Sequence, residues 1–177
     1  MMAMPLVLLG SFFVLIKDFP IQAWTAWLHS HWNLDVLLNT MANNSFGLMA
    51  LVTAFGIAYR LSESYGTDGP SAGVISLGAF LLMTPPLAAE DGAVGIPYGM
   101  LGGKGIFAAI VVAMISAEIY RWFIQKNIAI KMPAGVPDVV SKSFSALIPG
   151  IVILTFFAVV LKVIEATGLG SLNAILS

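Results

Sequence analysis

Ile128-Ala-Ile-Lys-Met-Pro-Ala-Gly-Val-Pro-Asp-Val-Val-Ser-Lys-Ser-Phe-Ser-Ala-Leu-Ile-Pro-Gly150 is a polar, proline-punctuated stretch lodged between two long apolar runs. Prolines 133, 137 and 149, Lys131, Lys142 and a serine-rich helix entrance set it apart from a chain that is otherwise mostly hydrocarbon. It reads as a linker. The run before it, Ile106 to Phe123, carries one carboxylate, Glu118. The run after it, Phe144 to Ile164, holds Pro149-Gly150, which predicts a kink.

A chain of 177 residues that is 59% hydrophobic and 10% charged cannot hide its apolar surface in a water-soluble core. Soluble domains are roughly a quarter charged. A mean hydropathy of +0.94 fits a bilayer, which accepts apolar side chains on the outside of a fold. The net charge of −1 offers neither a basic patch for nucleic acid nor an acidic tail. The absence of cysteine excludes a disulfide framework, thiol catalysis and thiolate metal sites.

The rest of the chain divides in the same manner. Met1 to Ile16 ends at Lys17-Asp18 and at ~1.5 Å per residue falls short of a ~30 Å hydrocarbon layer. It is expected to be a transmembrane helix whose first turns are missing; the other reading, a signal peptide, lacks a basic start and a small-residue cleavage site. Phe19 to Asn44 reads as an amphipathic, interfacial segment. Trp24, Trp27 and Trp32 gather there, and indole favours the headgroup level. A sugar-stacking platform is the alternative use of these rings. His29 and His31 stand two residues apart, so on a helix they share no face, and no Glu or Cys completes a metal set.

Phe46 to Tyr59 is the next apolar run, with Asn43-Asn44-Ser45 as its expected N-cap cluster. It closes at Arg60, and the loop to Gly69 feeds Pro70, with Thr67 or Asp68 placed to cap a third run, Ser71 to Leu87. Gly47, Gly56, Gly73 and Gly78 mark places where helices can approach closely. Glu90 to Gly105 reads as a flexible glycine-rich turn outside the membrane. Its Gly102-Gly-Lys-Gly105 lacks phosphate-loop spacing. The fold expected is therefore an all-α integral membrane domain with about five transmembrane helices, near 4–17, 46–60, 70–87, 105–124 and 144–165, plus the interfacial segment.

Alternating five runs across a bilayer puts Arg60, Arg121, Lys126, Lys131 and Lys142 on one face, five of the eight basic residues. Basic residues collect on the cytoplasmic side, so the N-terminus is expected inside. Glu118 lies one helical turn from Arg121, and an interfacial ion pair explains it as well as a functional role does. No hydrolytic triad, paired carboxylates or metal cluster can be assembled from these residues.

Several separated segments resemble, in order, the integral membrane EIIC subunit of the lactose/cellobiose/diacetylchitobiose family of phosphotransferase-system permeases. They are 4–16, Gly66-Thr-Asp-Gly-Pro-Ser-Ala-Gly73, Phe80-Leu-Leu-Met-Thr-Pro85, Leu101-Gly-Gly-Lys-Gly-Ile-Phe107, Glu118-Ile-Tyr-Arg121 and the linker 128–150. The linker is the most specific of them. The chain departs from the family at Lys142, where relatives often have Arg, and at Asp138, where an acid is uncommon. Lysine keeps the charge but lacks the bidentate fork.

The resemblance implies that residues 1–177 are the N-terminal transmembrane half of an EIIC domain, supplying dimer contacts and a scaffold. It implies that the histidine and glutamate that hold the sugar belong to a second half. Its implied setting is the bacterial cytoplasmic membrane, multi-pass, with phosphorylated EIIB and EIIA proteins as partners and a homodimer as the assembly. The cargo implied is a β-linked disaccharide such as cellobiose or diacetylchitobiose, bound only with the second half present. Glu118, Arg121, Lys131, Pro137 and Lys142 are the structural or interface candidates. No catalytic, sugar-holding or metal-ligating residue and no cofactor is expected in this chain. Two other functions stand beside the incomplete permease: an autonomous dimeric membrane scaffold or regulator, and a small channel.

Overall fold

In the computed structural model, residues 3–21, 24, 27–28, 34–84, 87–88, 94–130, 132–133 and 135–166 are described. The elements are α1 (Met4–Lys17), α2 (Leu34–Gly47), α3 (Met49–Ser64), α4 (Gly69–Met83), β1 (Leu87–Ala88), β2 (Val94–Gly95), α5 (Tyr98–Leu101), a 3-10 turn (Gly103–Gly105), α6 (Ile106–Gln125), α7 (Asp138–Ser145) and α8 (Leu147–Ala166).

Helices α3, α4, α6 and α8 form one bundle. The most extensive contacts join α3 to α6 and α3 to α4, and α4 and α6 both pack on α8. The reason lies in side-chain size. Ala50, Ala54, Ala58 and Ser62 recur every fourth residue on α3, as do Ala109, Ala113 and Ala117 on α6, and all are buried. Residues four apart share a helix face, so two narrow stripes meet and the backbones approach. Between lipid-solvated helices this close van der Waals packing takes the place of the hydrophobic drive available in water. Larger side chains fill the rest of the interior: Phe80, Met83, Val112, Tyr120, Ile153 and Phe157 are each at most 1% exposed. Phe107, Met114, Trp122, Ile151 and Val159 face outward, as a lipid solvent allows.

A second unit is the hairpin of α1 and α2, which pack mainly on each other. Gly10 makes their approach possible: a Cβ there would sit 2.9 Å from the Ser45 Cβ and 3.0 Å from the Phe46 ring. Trp24 donates its indole N–H to the Ile16 carbonyl at 2.8 Å and stacks on Trp27. His29, His31 and Trp32 lie outside the described residues.

Among the described residues three stretches are long and apolar enough to cross a bilayer, Leu34–Ser64, Gly103–Gln125 and Val140–Ala166, while Met4–Lys17 and Gly69–Met83 are shorter apolar helices.

Several sequence expectations change. Asn43, Asn44 and Ser45 do not cap a helix starting at residue 46; they lie inside α2, whose Ala42 and Ser45 are buried. The helix thus begins at Leu34, inside the stretch read as interfacial, because α1 offers it a packing surface. The third run ends at Met83 rather than residue 87, where Thr84 turns extended and bonds back to the Phe80 carbonyl at 2.9 Å. Leu87–Ala88 instead pairs antiparallel with Val94–Gly95, which lies in the glycine-rich connection expected to be flexible. The last run breaks at Ala146 and not at Pro149. Proline occupies the first turn of α8, where its missing N–H has no intrahelical acceptor to serve, so it starts the helix instead of kinking it.

Candidate functional site

Two helix ends meet at one pole of the bundle, and both close in the same manner. At the end of α3, Gly66 (φ 70°) takes the left-handed conformation, with Gly66 N–H bonded to Glu63 O and Thr67 N–H to Ser62 O. At the end of α6, Asn127 (φ 56°) does likewise, with Asn127 N–H on Ile124 O and Ile128 N–H on Phe123 O. Both are Schellman closures, which need a residue tolerant of positive φ. They hold the loop before α4 and the start of the linker in fixed positions.

On this frame two polar groups assemble. Glu118 of α6 pairs with Arg121 at 2.8 Å and accepts the hydroxyl proton of Tyr65, and the guanidinium lies 4.5 Å from the Tyr65 ring centroid. The hydrogen bond to the Glu118 carboxylate raises the Tyr65 phenol above its ordinary pKa, because the phenolate would lose the bond and face a second negative charge. Arg121 Nε is buried without a partner among the described residues, as are Ser62 Oγ and Ser116 Oγ.

The second group centres on Asp68. Its carboxylate caps α4 by accepting from Ser71 N–H at 3.1 Å and stands 3.7 Å from Lys142 Nζ of α7. Lys142, Asp138, Thr67, Tyr120 and Ser145 line a cleft of about 290 Å³ around it. Ser145 donates from its hydroxyl towards the carbonyls of Ser141 and Ile130, which ties α7 to the incoming linker. Pro137 is the exposed residue that opens α7. Lys131 lies outside the described residues. The structure therefore gathers Glu118 with Arg121 and brings Lys142 to Asp68, but leaves these as two neighbouring clusters.

Sequence spacing exposed the Glu118–Arg121 pair; it could not show Tyr65, which is 53 residues from Glu118. The clusters offer ion pairing and docking polarity. Among the described residues no group of three or more His, Asp or Glu is placed to hold a metal ion. Surface ion pairs contribute roughly 0.2–1 kcal/mol, so Glu118→Arg alone is expected to lower stability modestly. Combining it with Arg121→Glu is expected to recover part of the loss in a detergent melting assay; a double variant as damaged as the sum of the singles would deny the coupling.

An all-helical bundle with lipid-facing apolar sides and polar helix ends defines an integral membrane domain. The whole chain, residues 1–177, matches the family model described as Phosphotransferase system, EIIC, and the chain belongs to that family. It is 45% identical over 190 residues to the Lichenan permease IIC component of Bacillus subtilis (strain 168), covering 99% of this chain and 41% of that protein. It is 44% identical over 189 residues to the PTS system cellobiose-specific EIIC component of Geobacillus stearothermophilus, covering 99% of this chain and 42% of that protein. Among solved structures it superposes on the crystal structure of the transporter ChbC, the IIC component from the N,N'-diacetylchitobiose-specific phosphotransferase system. The TM-score is 0.90 at 37% identity, over 98% of this chain and 43% of that chain. The chain spans about two fifths of the length of each of these three relatives.

Proposed function

We propose that this chain is the dimerisation and scaffold half of an EIIC permease for a β-linked disaccharide such as cellobiose or diacetylchitobiose. The observation that carries this is the match to the diacetylchitobiose transporter over 98% of the chain. In this reading α1, the α2–α3 stretch, α4, α6 and the α7–α8 stretch are five spans of the bacterial cytoplasmic membrane. The two shorter ones, α1 and α4, reach across with the aid of neighbouring turns or local thinning of the bilayer. The pole bearing Arg60, Arg121, Lys126 and Lys142 faces the cytoplasm, with the N-terminus inside, as the distribution of basic residues favours. That pole, with Glu118, Arg121, Pro137 and Lys142, would meet the second protomer or the phosphorylated EIIB protein. The chain's own part is to anchor and orient. Phosphoryl transfer belongs to its soluble partners.

The expected result is that the purified chain binds no radiolabelled cellobiose alone, and that binding appears when it is co-expressed with the complementary part of the lichenan permease. Tight binding by the chain alone, or none by the assembled pair, would overturn the reading. Orientation has its own check: a cysteine at Ala134 should resist an impermeant thiol reagent applied to intact cells. Labelling from outside would reverse the assignment.

A further inference from the structure

We draw no further inference here: the strongest candidate, the apolar groove of about 510 Å³ between α4 and the α7–α8 stretch, lined by Val74, Ile75, Gly150 and Leu154 with Ser71 and Ser143 beside them, carries nothing because nothing in the structure shows what covers it.

Discussion

Ala113→Leu is expected to be the most damaging single substitution in the bundle. Ala58, Ala113 and Ala117 form one fully buried cluster where α3 meets α6. Alanines face alanines across the seam, with Ile57 and Leu61 packed at its edge, so little side-chain volume there can yield. Adding a branched side chain forces the two backbones apart along their length and loosens the neighbouring contacts of Ala54 and Ala109 at the same time. Overpacking of this kind costs roughly 1–3 kcal/mol in soluble cores, and here about 3 kcal/mol or more is expected since close backbone approach is itself the source of stability. Melting of the purified protein in mild detergent, followed by near-ultraviolet circular dichroism, reads the effect. Met114→Leu, one residue away on the lipid-facing side, serves as the control and should melt like the parent. An Ala113→Leu protein as stable as the parent would show that the small-residue seam does not hold the bundle together.

Phe80→Ala tests the opposite change, removal of volume. Phe80 is fully buried within the main core cluster beside Ile153 and Phe157. In a water-soluble protein Phe→Ala costs about 3–5 kcal/mol, from lost transfer energy plus the cavity left behind. In a bilayer the transfer part largely disappears, because the unfolded helix keeps its side chain in hydrocarbon. What remains is the lost dispersion contact around an empty space, and the expected loss is about 3 kcal/mol, at the low end of that range. Restoration of the melting temperature by Phe80→Leu, but not by Phe80→Ala, is the expected pattern. If both variants melt together with the parent, α4 does not depend on this packing.

These two cases show what could be read from the sequence and what could not. The apolar run before Lys17-Asp18 matches α1, and the run holding Glu118 matches α6, because an uninterrupted apolar run in hydrocarbon must satisfy its backbone internally, as a helix does. Asp68 and Pro70 likewise announced the start of α4. The alanine stripes escaped notice, since alanine neither raises hydropathy sharply nor signals a contact in the way glycine does. Helix α2 was misread for a related reason. Its asparagines resemble a capping cluster when the α1 surface that buries Ala42 and Ser45 is out of sight. At the polar pole, the local pair Glu118–Arg121 was legible from its spacing, whereas Tyr65 and Asp68 reach their partners through the fold.

The Tyr98 ring of α5 lies on Gly47 of α2 and its hydroxyl bonds to Asn44 Oδ1, a seat that has a consequence for biogenesis. The α1–α2 hairpin leaves the ribosome about fifty residues before Tyr98 does, so it enters the membrane with its amide side unguarded. Docking of α5 must then wait until the intervening spans have been threaded, so the hairpin stays unsettled for as long as α3 and α4 take to be made. Slow maturation of this corner, visible as delayed protease resistance in pulse-labelled cells, is the signature such an order of assembly would leave.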